Sequence, residues 1–190
     1  MDQANIKRLS KFLSWILRHQ PEAIGLSLDP NGWADIRLLL EKAAQHQHPM
    51  DMDTLKHIVA TNPKQRFSLD ATQTRIRANQ GHSISVDLAL VPQQPPALLY
   101  HGTAISNAAS VAGQGILKQQ RQHVHLSSDI ATATQVGSRH GKPYIFTVAA
   151  TDMHRDGFVF YRSENGVWLT DSVPPQYLDG MGDSGRTTPT

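Results

Sequence analysis

The 190-residue chain has no cysteine, which excludes disulfides, a thiolate nucleophile and cysteine-based zinc sites, and is compatible with a reducing cytosol. It has no apolar run near the roughly 20 residues that a membrane helix needs. Its first eleven residues are polar and lack the apolar core of a secretory signal. A soluble, cytoplasmic protein is the expectation. Charge of one sign is scarce: 18 Lys and Arg against 16 Asp and Glu leave a formal net charge of +2. Composition alone therefore does not announce a nucleic-acid binder, although a local basic face is compatible with it. G-x-x-x-x-G-K-[ST] does not occur, and the G-x-G-x-x-G spacing occurs as Gly180 to Gly185 in the Gly/Ser/Thr-rich tail, with no helical pattern after it, so neither a P-loop nor a dinucleotide fingerprint in its strand-to-helix context is on offer. There is also no nucleophile-elbow serine, no carboxylate pair at a set spacing and no acidic cluster for magnesium. Serine-hydrolase, glycosidase and kinase-type chemistries lack their residues.

What is present is a globular composition, 39% hydrophobic and 18% charged, with ten histidines. Arginine and histidine interrupt apolar or amphipathic segments at three places. Trp15-Ile16-Leu17-Arg18-His19 ends an amphipathic run, Lys64-Gln65-Arg66-Phe67 opens a short β-like stretch, and Arg121-Gln122-His123-Val124-His125-Leu126-Ser127-Ser128 carries a cation and two histidines. A cation beside buried positions is costly unless an anion meets it. Taken singly, each is a surface or salt-bridged arginine. Taken together they suggest one converging anion pocket, and phosphate suits the planar fork of guanidinium donors.

The elements read as α+β. Ile6, Leu9, Phe12, Leu13, Ile16 and Leu17 recur at helical spacing up to Arg18, with Pro21 as a stop signal. Asn31-Gly32 is a turn, and Asp35 caps a helix through Ile36, Leu39, Leu40 and Ala43. A third helix fits residues 53–60, with Leu55, Ile58 and Val59 inward. Phe67-Ser68-Leu69 and Arg75-Ile76-Arg77-Ala78 follow as strands. Three helices and a hairpin describe a winged-helix-like lobe over residues 1–91. Val91-Pro92-Gln93-Gln94-Pro95-Pro96 is the clearest boundary, and a stiff linker is expected over 92–97. Beyond it strands are expected at Leu98-Leu99-Tyr100-His101, His123-Val124-His125-Leu126, residues 143–148, Phe158-Val159-Phe160 and Val167-Trp168-Leu169-Thr170. Helices are expected over 105–112, closed by Gly113 and Gly115, and over 130–137. The second lobe spans 98–179, and the Gly/Ser/Thr-rich tail 180–190 is expected to be disordered.

Several local readings stay open at this level. In His101-Gly102-Thr103, placed between a strand and a helix, the glycine lets a ligand approach the backbone, or Thr103 simply caps the helix. Of His123 and His125, one is expected to face a cleft and the other solvent; no acidic partner for a metal lies nearby. Asn79-Gln80-Gly81-His82-Ser83 is either a wing on nucleic-acid backbone or a solvated hairpin tip.

Six segments carry a resemblance. Residues 9–19, Lys64-Gln65-Arg66-Phe67, Gln80-Gly81-His82-Ser83, Tyr100-His101-Gly102-Thr103, His123-Val124-His125-Leu126-Ser127 and Val167-Trp168-Leu169-Thr170 occur in the order found in RNA 2′-phosphotransferases. These are the tRNA-splicing 2′-phosphotransferase of eukaryotes and its bacterial KptA counterparts. The chain resembles them from about Ile6 to Leu178. The resemblance implies a winged-helix lobe, an ADP-ribosyltransferase-like mixed β lobe that takes NAD⁺, and catalysis between them. It implies an NAD⁺-dependent enzyme that removes an internal 2′-phosphate from RNA. A 2′-phospho-ADP-ribosylated intermediate would give 2′-OH RNA, nicotinamide and ADP-ribose 1″,2″-cyclic phosphate, with no metal and in a monomer. Carried over by motif, the catalytic set is Arg18, His19, Arg66 and Arg121. NAD⁺ would meet His101, Gly102, Thr103, His125, Leu126 and Ser127, and the RNA backbone would meet Lys64 and His82. The glutamate of related toxins has no match in Asn165-Gly166-Val167-Trp168, as expected where the nucleophile is already an anion. Two alternatives are an ADP-ribosyltransferase with another acceptor, and a winged-helix binding protein without enzymatic activity, which would not need the motifs of the second lobe.

Overall fold

The computed structural model describes residues 2–181. Helix α1 (Gln3–Arg18) begins where the Asp2 carboxylate accepts the Ala4 N–H at 3.0 Å, and it buries Leu9, Phe12, Leu13, Ile16 and Leu17. Three- and four-residue spacings put these five on one stripe. At His19 the backbone leaves helical geometry (φ −128°), while its N–H still bonds the Trp15 carbonyl. Pro21 then opens a single 3₁₀ turn that Gly25 closes in the left-handed region (φ 66°). The sequence thus stops the helix so that Arg18 is its last residue and His19 its cap, a terminus whose dipole suits cations.

Strand β1 (Ala34–Asp35) leads into α2 (Ile36–Gln45), which the Asp35 carboxylate caps at the Leu38 N–H, 2.8 Å. Asp51 caps α3 (Met52–Thr61) in the same way through Thr54. Strands β2 (Phe67–Leu69) and β3 (Arg75–Ala78) pair antiparallel, Phe67 opposite Ala78, and β1 pairs on the other edge of β3 with Ala34 opposite Ile76. The hairpin tip is Asp70 to Thr74, where the Asp70 carboxylate accepts the Thr74 and Arg75 N–H groups. Leu13, Ile16, Leu17, Ile36, Leu39, Leu55, Ile58 and Ile76 form the core beneath.

The later chain builds small antiparallel sheets. Strand β4 (Leu98–Ala104) precedes a 3₁₀ turn (Ile105–Asn107) and α4 (Ala108–Gln114), so the helix expected over 105–112 is divided and Gly113 lies inside it. Then come β5 (Ile116–Leu117), β6 (Val124–Leu126), α5 (Ile130–Gly137), β7 (Pro143–Ala149), α6 (Ala150–Arg155), β8 (Tyr161–Arg162), β9 (Trp168–Thr170), β10 (Ser172–Val173) and β11 (Leu178–Met181). The sheets run β11-β7-β4, β6-β9-β8 and β10-β5. Their shared core holds Leu99, Val124, Leu126, Val148, Met153 and Phe160.

Two expectations need correction. Phe158-Val159-Phe160 is not a strand: Phe160 is wholly buried and its carbonyl accepts the Gln93 N–H, and pairing with β9 starts only at Tyr161. At the start of the segment expected as a linker, Pro92 bridges to Tyr161. Gly180 and Met181, expected in the tail, are strand residues that pair with Phe146 and Ile145; the rest of the expected tail, 182–190, lies outside the described residues.

Contacts divide the molecule into two units. The first holds the chain up to Leu90 together with Gln120–Gln122; the second holds Val91–Gln119 and the chain from His123 onward. Among the described residues, no helix is long and apolar enough to cross a membrane.

Candidate active site

Four cationic side chains assemble in the first unit. Arg18 and His19 come from the end of α1, and Arg66 comes from the loop entering β2. Arg121 belongs to Gln120–Gln122, which the Gln122 amide fastens by donating to the Ile84 carbonyl at 3.0 Å. Two buried asparagines hold the loop that carries Arg66. Asn62 accepts from the Lys64 N–H at 3.1 Å and from the Arg66 guanidinium at 3.4 Å, and its own amide donates to Ser10 Oγ. Asn79 donates to the Gln65 carbonyl at 2.7 Å, its backbone N–H donates to the Arg66 carbonyl, and Gln65 adopts a positive φ of 41°. Sequence reasoning did not name Asn62, and it read Asn79 only as part of a polar turn. The available signal was an amide residue at each end of the Lys64-to-Ala78 segment.

The segment after β3 completes the frame. It is neither a wing nor a solvated tip, since Asn79 and His82 are 5% and 1% exposed. Its Ser83 N–H donates to the Arg18 carbonyl at 3.0 Å, and Ser83 Oγ lies 2.8 Å from His19 Nδ1. Of the two residues expected at the RNA backbone, His82 is buried and Lys64 is exposed.

Electrostatically the group is strained. Burial, then Arg66, then Arg121 lower Arg18 to about 10. Its Nε and Nη2 atoms are enclosed and have no hydrogen-bond partner. His19 is also lowered, by burial, then by Arg18 and Arg121. His82 is pushed down to about 4, chiefly by burial, and neither ring nitrogen finds a partner. Such a cluster disfavours its own charge and gains most from an anion.

The second unit brings together some of the residues expected at a nucleotide. Tyr100 and Ser127 exchange both backbone hydrogen bonds at 2.8 Å, which sets β4 against the end of β6. His101 Nδ1 lies 3.3 Å from the His125 carbonyl, and Thr103 shares the strand face of His101. Two residues do not fit as expected. His101-Gly102-Thr103 lies inside β4 rather than after it, and Gly102 faces α5, where a β-carbon would overlap the Ala133 carbonyl oxygen. The missing side chain admits the helix. Leu126 is 1% exposed and its side chain belongs to the core. His123 and His125 are both half-buried instead of one inward and one outward, because residues two apart on a strand share a face.

Comparison with known proteins gives a consistent answer. A family model described as "RNA 2'-phosphotransferase, Tpt1 / KptA family" matches residues 4–172. The chain is 54% identical over 181 residues to the "Probable RNA 2'-phosphotransferase" of Trichormus variabilis, covering 95% of this chain and 100% of that one. A protein of the same description from Acaryochloris marina is 54% identical over 178 residues, 94% of this chain and 98% of its own. One from Hahella chejuensis is 55% identical over 173 residues, 91% and 93%.

Proposed function

Because the chain belongs to the RNA 2′-phosphotransferase family, we propose that it removes an internal 2′-phosphate from RNA with NAD⁺ as second substrate. The observation that carries this reading is Arg18, an enclosed guanidinium held low by burial and by two further guanidinium groups, with two donor nitrogens, Nε and Nη2, unmatched. A phosphate dianion answers all of these at once. In the same reading the first unit is a winged-helix lobe, with three helices and a hairpin, and the second is ADP-ribosyltransferase-like.

The assigned reaction has two transfers. An oxygen of the RNA 2′-phosphate bonds to the ribose C1″ of NAD⁺ as nicotinamide leaves with the bonding pair. Ribose O2″ then bonds to phosphorus and the bond to the RNA O2′ breaks. The ribose hydroxyl proton ends on O2′, giving 2′-OH RNA and ADP-ribose 1″,2″-cyclic phosphate.

Arg18, Arg66 and Arg121 hold the phosphate during the first transfer, giving up some of its nucleophilicity in return for position. In the second, charge grows on the non-bridging oxygens, where fixed cations stabilise it most. These three groups supply the charge neutralisation that a metal supplies in other phosphoryl transfers. His19, with Nδ1 engaged by Ser83, has its other ring nitrogen available for a phosphate oxygen or the departing O2′. Lys64, exposed beside Arg66, suits a flanking phosphate. In the second unit His101, Thr103, His125 and Ser127 offer the donors and acceptors that ribose hydroxyls and a carboxamide require.

The test is an RNA with one internal 2′-phosphate, incubated with and without NAD⁺. Loss of the phosphate only with NAD⁺, with release of the cyclic phosphate product, is the expected result. Persistence of the 2′-phosphate in the presence of NAD⁺ overturns the proposal.

A further inference from the structure

We propose that Ser83 is a positioning residue whose hydroxyl holds His19 Nδ1 and keeps a proton on His19 Nε2 in both ionisation states of the ring. The consequence for phosphate rests on the function proposed above; the tautomer itself does not.

The geometry is specific. Ser83 is anchored by its backbone, whose N–H donates to the Arg18 carbonyl at 3.0 Å, one of the carbonyls that the end of α1 leaves open. Its side chain is therefore placed by the same helix end that places His19. Oγ then lies 2.8 Å from Nδ1. A neutral imidazole has one donor and one acceptor nitrogen, and the partner of one decides the state of the other. Three other histidines place Nδ1 against a backbone carbonyl instead. His46 Nδ1 lies 2.8 Å from the Lys42 carbonyl, His48 Nδ1 2.8 Å from the His46 carbonyl, and His154 Nδ1 3.4 Å from the Phe158 carbonyl. A carbonyl requires Nδ1–H, so in the neutral ring Nε2 becomes a bare lone pair.

A hydroxyl is different because it both donates and accepts. A neutral histidine ring by itself favours the proton on Nε2, and the hydroxyl, unlike a carbonyl, matches that form by donating to Nδ1. Against the imidazolium, the hydroxyl rotates to accept from Nδ1–H, and Nε2 keeps its proton. The groups around the ring make this matter. Arg18 on the same helix, Arg121 from Gln120–Gln122 and His82 from the Ser83 loop all disfavour the charged ring or are disfavoured by it. Burial and these neighbours together favour the neutral ring. A neutral ring with a bare Nε2 would repel a phosphate oxygen, whereas one with Nε2–H donates to it.

The experiment uses the full chain and nitrogen-15 NMR of the His19 ring, with inorganic phosphate as probe. At a pH above the His19 titration read from the same spectra, the wild type is expected to show Nε2–H alone. Ser83→Ala is expected to show mixed tautomers and about five- to tenfold weaker phosphate binding, the worth of one such hydrogen bond. Below the titration the ring carries both protons, and the gap between variant and wild type should close. Ser83→Thr, which retains the hydroxyl, should behave as wild type. Nδ1–H in the wild type overturns the proposal, and so does Ser83→Ala with unchanged tautomer and affinity. A loss of equal size on both sides of the titration overturns it too, since a merely structural role would produce that. A wild type that holds Nε2–H and binds phosphate but leaves 2′-phosphorylated RNA intact would instead defeat the proposed function and spare the role of Ser83.

Discussion

Replacing Arg18 with methionine retains an unbranched stem against the core and removes the guanidinium. In the free protein that guanidinium is lowered to about 10 by burial, Arg66 and Arg121. At about 1.4 kcal/mol per pH unit, this corresponds to about 3 kcal/mol by which the fold disfavours the charge. Partial exposure and salt reduce it to about 1–2 kcal/mol. Below pH 10 the group is charged in folded and unfolded chain alike, so the cost is fully present at neutral pH; it fades only above 10, where the folded protein loses its proton first. Arg18→Met should therefore melt roughly 3–6 °C higher than wild type in phosphate-free buffer at pH 7, taking about 2–4 °C per kcal/mol at this size. Phosphate should reverse the order. A ligand at a hundred times its Kd stabilises the wild type by about 2.7 kcal/mol, and the methionine variant should gain much less. Thermal unfolding followed by circular dichroism, with and without inorganic phosphate, reads both effects. A variant that melts below wild type without phosphate, or that gains as much from phosphate, would show that Arg18 is satisfied within the fold, and the anion-site argument would fall.

Gly102→Ala drives a methyl group into the Ala133 carbonyl of α5 and should destabilise by about 2–4 kcal/mol in urea unfolding; wild-type stability with selective loss of activity would restore the ligand-approach reading. His82 is held near 4 against an ordinary value of 6.5, so the unfolded chain binds more protons between those values. Stability should fall as pH drops through that window, by up to about 3 kcal/mol, and His82→Leu should flatten the profile; an equally steep profile in the variant would assign the loss elsewhere. Arg66→Ala should slow the second transfer more than the first, seen in quenched-flow assays as accumulation of RNA joined to ADP-ribose. Equal slowing without accumulation would remove Arg66 from that step.

Some of the fold follows from short-range pattern. The stripe from Leu9 to Leu17 has one face to bury, and Asp35 has one obvious use before an apolar run; α1 and α2 form accordingly. Strands β2 and β3 occur at the residues whose composition predicts them. Phe158-Val159-Phe160 has strand composition but no ladder, because a strand requires a partner and composition does not say whether one is free. The short strands β1, β5 and β10 were illegible for the same reason, having two residues each and no period to display.

The candidate site divides along the same line. Sequence alone supplies the types and order of the cations, Arg18, His19, Arg66 and Arg121, and the family motifs in which they stand. Local spacing alone also decides that Arg18 and His19 sit at a helix end, since Pro21 stops the helix there. Only the tertiary structure decides which groups are mutually close and what each touches. It gathers Arg121 with the first unit across the intervening chain from Val91 to Gln119, turns Gly102 toward a helix, sinks His82 into the interior and sets Ser83 on His19. Each of these depends on partners distant in sequence. A residue's type shows what bonds it can make; which atom fills the space beside it is settled by packing.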